Sequence, residues 1–118
     1  MENVLLEHGD GGALSAKLVD FISKTLGEVY LGEMEDSYIS DKLNGRLAIT
    51  TDSFTVDPLF FKNGDIGKIA VCGTVNDIAV SGAIPKYITL AMIIEEGFPI
   101  TYLNKILNSI KKHALNLR

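Results

Sequence analysis

The chain has 118 residues, 47% of them hydrophobic, and its 15 acidic against 11 basic residues leave a formal charge of −4. That is the size of one domain with a real core, and lysines and arginines that adjoin only at Lys111 and Lys112 exclude the basic stripe a nucleic-acid binder needs. No run approaches the roughly 18 apolar residues of a membrane span, the N-terminus carries no targeting pattern, and the single cysteine, Cys72, cannot close an intramolecular disulfide, so a cytoplasmic protein is expected.

Val4 to Leu6 read as a short strand or an extended arm. In the His8-Gly9-Asp10-Gly11-Gly12 stretch that follows, a backbone without side chains can approach a ligand closely, and a helix starting just after it would aim free amides at an anion. A flexible segment ahead of a helix accounts for the same glycines equally well. His8 is either a phosphate contact or an exposed side chain. A helix is predicted over 12–26, with Leu14, Leu18, Phe21, Ile22 and Leu26 on one face, ended by Gly27. Of the acidic residues that follow, Glu28, Glu33 and Glu35 read as solvated surface and Asp36 as the exception.

Ser37 to Lys42 and Arg46 to Thr51 are predicted as two strands around the Asn44-Gly45 turn, the second ending in Asp52. Two registers compete. A two-residue loop places Ser37 opposite Asp52; a three-residue loop, Leu43 to Gly45 with Gly45 left-handed, places Asp36 opposite Asp52 on one face. The second is preferred, because two carboxylates that close repel unless a cation lies between them; capture of one by a backbone amide or a lysine is the plain alternative. Asp57-Pro58 marks a turn, Phe60-Phe61 packs on the sheet or a partner, and Lys62-Asn63-Gly64 is a loop.

Asp65 to Gly82 is predicted as a helix capped by Asn63 or Asp65. Its apolar residues run nearly all round, so it is expected to be buried, with Cys72 a small hydrophobe inside it and Asp77 a buried carboxylate that must be paired, protonated or metal-bound. Lys68 falls in the first turn, where a cation does not help the helix dipole; it is either a phosphate ligand or an ordinary exposed lysine. Tyr87 to Ile94 alternates apolar residues on both faces and reads as a strand covered on both sides, one cover being a second copy of the chain. Past Glu95-Glu96-Gly97, a last helix from Pro99 carries Ile100, Leu103, Leu107, Ile110 and Ala114 on one face and ends at Leu117-Arg118. From the residues, the site is Asp36, Asp52 and Asp77 around one or two magnesium ions, with Asn76, Lys68 and the 8–12 loop nearby; no GxxxxGK[ST] loop is present.

Thr50-Thr51-Asp52-Ser53-Phe54, Asp57-Pro58-Leu59-Phe60-Phe61, Gly64-Asp65-Ile66-Gly67-Lys68 and Val75-Asn76-Asp77-Ile78-Ala79-Val80-Ser81-Gly82-Ala83 closely resemble the N-terminal domain of the HypE family of hydrogenase maturation factors. The likeness runs from the His8 loop through Glu95-Glu96-Gly97. It places the chain in the superfamily of PurM-type aminoimidazole ribonucleotide synthetases. The resemblance implies an α+β, PurM N-terminal-like fold spanning 1–118: a mixed, mostly antiparallel sheet with helices on one face, pairing with a second subunit in a homodimer. It also implies ATP and Mg2+ as cofactors, with Asp36, Asp52 and Asp77 on the metal and Gly9, Gly11, Gly12, Lys68 and Asn76 on the nucleotide. Such enzymes dehydrate an S-carbamoyl cysteine to a thiocyanate at the expense of ATP, with HypF, HypC and HypD as partners, for the cyanide ligands of nickel-iron hydrogenase. The family's second domain and its C-terminal reactive cysteine are not in this chain, so the isolated domain is expected to dimerise and bind Mg-ATP weakly without turnover. Two other readings stand beside it: a sister enzyme such as thiamine-monophosphate kinase, aminoimidazole ribonucleotide synthetase or selenophosphate synthetase, and a non-catalytic dimerisation module.

Overall fold

The computed structural model describes residues 1–33 and 35–117. Its frame is three helices, α1 (Gly12–Leu26), α2 (Ile66–Val80) and α3 (Ile100–Leu115). Single 3-10 turns, Leu6–Gly9 and Gly27–Val29, flank α1. Among the described residues the hydrogen-bonded sheet is one antiparallel hairpin, β1 (Phe60–Phe61) with β2 (Gly64–Asp65), turning through Lys62 and Asn63. Asn63 takes the left-handed conformation there, φ 69°, which asparagine tolerates better than most residues.

Helix α3 is the pivot, packing against both α1 and α2. Its apolar stripe supplies Ile100, Leu103 and Leu107 to a core completed by Val4 and Leu26, with Leu18, Phe21, Ile22 and Phe98 packed around it. The helical spacing read from the sequence selects these residues, and Ile106 is buried as well. Leu14 is 40% exposed, so the first turn of α1 lies outside the core. Gly27, at φ 58°, ends α1, its amide donating to the Ser23 carbonyl. The N-terminal arm is held as an added strand would be: Val4 N–H donates to Phe98 O at 2.8 Å and Gly97 N–H to Val4 O at 2.6 Å.

α2 meets α3 through a glycine. A Cβ on Gly67 would stand 2.7 Å from the Ile106 carbonyl oxygen, so only glycine lets the two backbones come this close. The hairpin closes the other end of this contact, Phe60 meeting Tyr102 edge-on at 5.4 Å between ring centroids.

Three expectations are corrected. The segments 37–42 and 87–94 meet where Tyr38 lies 5.6 Å from Tyr87, yet neither these nor 46–51 form a hydrogen-bonded strand among the described residues. A hairpin needs a covering layer or a third strand to hold its ladder, and here Ile39, Leu47, Ile49 and Ile93 remain open to solvent. Gly45 does take the left-handed conformation expected of it, φ 92°. Secondly, α2 is not enclosed: Gly67 and Val71 are its buried residues, because α3 covers one side and the other is covered only in part, by Phe54 at Gly73. Cys72 and Asp77 are therefore exposed, not buried. Thirdly, α3 ends at Leu115, ahead of the expected Leu117-Arg118, of which Arg118 lies outside the described residues.

Leu107 is 0% exposed, and Leu107→Ala is expected to cost about 2–5 kcal/mol in urea denaturation, against less than about 0.5 kcal/mol for Leu6→Ala, a side chain 67% exposed.

Candidate functional site

The glycine loop is built to expose amides. Gly11 and Gly12 adopt φ of 81° and 78°, a region that side chains with a Cβ disfavour, and apart from adjoining backbone and chain neighbours nothing lies within 4 Å of where a Cβ would stand on Gly9, Gly11 or Gly12. Helix α1 starts at Gly12 with no side chain capping its first turn, so amides there face open space, the arrangement that favours an anion. One amide is engaged: Gly11 N–H donates to Ser15 Oγ at 2.8 Å, and the Ser15 hydroxyl donates to His8 O at 2.6 Å. Ser15 escaped notice in the sequence, although its position four residues after Gly11 is the spacing of one helical turn.

His8 is not exposed but buried. It is 5% exposed, and its Nδ1 accepts the Leu5 amide at 2.9 Å, which leaves the proton on Nε2. That N–H is buried with no partner among the described residues. It borders a cavity of about 250 Å³ beside Val4, Leu18, Met92 and Ile94.

Asp36, Asp52 and Asp77 are all exposed. Asp52 Oδ1 accepts its neighbour's amide, Ser53 N–H, at 2.8 Å; Asp36 and Asp77 form neither ion pair nor hydrogen bond among the described residues. Their oxygens are free for a hard cation, which is the ligand type magnesium takes. Yet no group of three or more acidic, histidine or cysteine side chains is gathered tightly enough to hold a metal among the described residues. Asn76, beside Asp77 on α2, is exposed too.

Lys68 stands elsewhere. Nine residues separate it from Asp77 on α2, which at 1.5 Å and 100° per residue sets the two about 14 Å apart along the axis and about half a turn apart around it. Lys68 Nζ donates to Asn63 O at 3.0 Å, on the side of α2 that faces α3. Between them is a buried hub. Asp65, 9% exposed, caps α2 by accepting Lys68 N–H at 2.8 Å, and the same Oδ1 accepts the Ser109 hydroxyl at 2.7 Å. His113 Nδ1 is 2.7 Å from Ser109 O; a carbonyl only accepts, so Nδ1 is the donor. Of the two cap candidates the structure selects Asp65. Ser109 and His113 passed unnoticed in the sequence, since nothing local links residues of the last helix to a cap 44 positions earlier.

Comparison with known proteins adds the following. Residues 34–117 match the family described as AIR synthase related protein, N-terminal domain. The chain is 42% identical over 120 residues to the carbamoyl dehydratase HypE of Escherichia coli K12, covering 97% of this chain and 36% of that protein. It is 42% identical over 106 residues to the HypE of Rhizobium leguminosarum bv. viciae, covering 89% and 30%. Among solved structures, a hydrogenase maturation protein HypE in complex with ATP superposes with a TM-score of 0.89 at 41% identity, covering 96% of this chain and 34% of that one. The chain thus spans about a third of the length of the relatives it matches, and the PurM-like fold expected from the sequence is the fold observed.

Replacing Asp65 by alanine removes both the cap and the bridge to Ser109, and is expected to lower stability by about 1–2 kcal/mol, measured by chemical denaturation; Ser109→Ala should cost less, because the cap survives.

Proposed function

We propose, for a chain that belongs to the AIR synthase related family through its N-terminal domain, that it is the Mg-ATP-binding and dimerisation domain of a HypE-type carbamoyl dehydratase. The observation that carries this reading is the 0.89 TM-score at 41% identity to a HypE structure in complex with ATP. In the whole enzyme the reaction is the ATP-dependent dehydration of an S-carbamoyl cysteine to a thiocyanate, with HypF, HypC and HypD type proteins as partners in the cytoplasm.

The uncapped first turn of α1, with Gly9, Gly11 and Gly12, receives the nucleotide phosphates, and Ser15 must release the Gly11 amide for it to take part. Asp36, Asp52 and Asp77 supply the metal ligands, with Asn76 alongside. Magnesium bound there would neutralise charge on the transferred phosphoryl group. Because the three carboxylates are exposed and not drawn together, the site is completed by the second domain and a second copy. The second copy covers the apolar residues left bare, Ile39, Leu47, Ile49, Ile84 and Ile93; an apolar surface of this kind marks an interface.

Titration calorimetry of ATP, with and without magnesium, into the chain extended by a HypE-type second domain and tail should give magnesium-dependent binding that Asp77→Ala weakens more than about tenfold, some 1.4 kcal/mol. No binding under any condition would favour the non-catalytic dimerisation module. Sedimentation of the 118-residue chain should show a dimer that Ile49→Asp converts to monomer; a monomeric parent chain would contradict the dimerisation half of the proposal.

A further inference from the structure

Among the described residues of this acidic chain is a lysine-bordered cleft, and the nucleotide site proposed above makes no use of it. The cleft, of about 520 Å³, lies between the β1–β2 turn and the outer face of α3, and Lys68, Lys105, Lys112 and His113 border it. Its volume falls in the range of small-molecule sites, about 300–1,000 Å³. None of the three lysines is in an ion pair among the described residues, where the recorded pair is Lys24 with Asp20 on α1. The one carboxylate in the wall, Asp65, is buried, its Oδ1 taken by the Lys68 amide and the Ser109 hydroxyl. It caps α2 and makes no ion pair with these lysines among the described residues.

Two of the lysines are held in place. Lys68 Nζ is anchored on Asn63 O, and Lys105 Nζ lies over the rings of Phe60 and Tyr102, 5.7 and 5.9 Å from their centroids, contacts that favour a cation. Asn63 and Asn108 add neutral polar groups to the rim, and the lining contains no apolar side chain. A peptide would need apolar pockets for its side chains. Three separate ammonium groups, each a point charge with several donors, instead suit a compact anion with oxygens in several directions.

We propose that this cleft is a second anion site, taking a phosphate-bearing small molecule independently of magnesium and of the Asp36, Asp52 and Asp77 carboxylates. Free pyrophosphate and an organic phosphate monoester share the chemistry, and the relative affinities of the two distinguish the source.

The test is a titration of the 15N-labelled 118-residue chain, without magnesium, with pyrophosphate and separately with glycerol 3-phosphate. Saturable amide shifts centred on residues 63–68 and 105–113 are expected, stronger for pyrophosphate if the natural ligand is inorganic and for the ester if it is organic. K105A/K112A should raise the dissociation constant about tenfold or more, whereas K17A/K86A, which removes the same charge elsewhere, should not. The exposed ammonium groups of Lys105 and Lys112 are not part of the core, and unchanged dispersion of the core amides checks that the fold is retained. Shifts scattered over the surface without saturation, or equal affinity in K105A/K112A and K17A/K86A, would overturn the proposal. Asp77→Ala should leave this binding unchanged, so its failure and that of the Mg-ATP reading are told apart.

Discussion

A single buried carboxylate oxygen joins the two helices on which the domain is built. Asp65 Oδ1 takes one hydrogen bond from the first turn of α2 and another from Ser109 in the middle of α3. Left unpaired, a buried carboxylate would be strongly unfavourable; with two donors it becomes a fixed point. Beside it, Gly67 admits the Ile106 carbonyl at a distance any side chain would forbid. Once α2 and α3 are set this way, the opposite stripe of α3 is committed to α1 and to the N-terminal arm, and the core around Leu103 and Leu107 follows.

The arrangement has helices on one side and extended chain on the other, and it stops there. Residues 37–54 and 86–94 lie over the helices only in part: Phe54 reaches Gly73, and Met92 and Ile94 reach the core, but Ile39, Leu47, Ile49 and Ile93 face solvent. Around Tyr38, desolvation and then the neighbouring Tyr87 and Asp41 hold the hydroxyl above its ordinary pKa, in a contact between two segments that share no backbone hydrogen bond among the described residues. Such a surface is only partly covered. It explains why a helix as apolar as α2 leaves Val80 78% exposed without any defect in the hydrophobic pattern.

Helix α2 also divides the chemistry of the chain. Its C-terminal half offers Asn76 and Asp77 toward the bare side, and its N-terminal half offers Lys68 toward α3, about half a turn away. The Asp77 carboxylate and the Lys68 ammonium group are thereby kept from neutralising one another. This separation, and not the net charge of −4, sets the charge that each side of α2 presents.

The sequence by itself determined the elements and the family. Periodicities of 3.6 residues located α1, α2 and α3, Gly27 and Gly82 stopped the first two, and the run of motifs from Thr50 to Ala83 specified the PurM-like domain, because these signals are local and each residue reads its neighbours along the chain. What only the tertiary structure decided was exposure and company. Asp77 and Cys72 were expected to be buried because α2 is apolar all round, yet the pattern cannot state how many layers are present to bury it. Strands were expected at 37–51 and 87–94 because alternation was clear, yet a ladder forms only when a partner or a cover holds it. His8 is buried, Lys68 joins Lys105 and Lys112, and Asp65 finds Ser109 by contacts between residues far apart in the chain. Such contacts depend on how helices cross, which in this domain turns on a glycine and a carboxylate that look ordinary in the sequence.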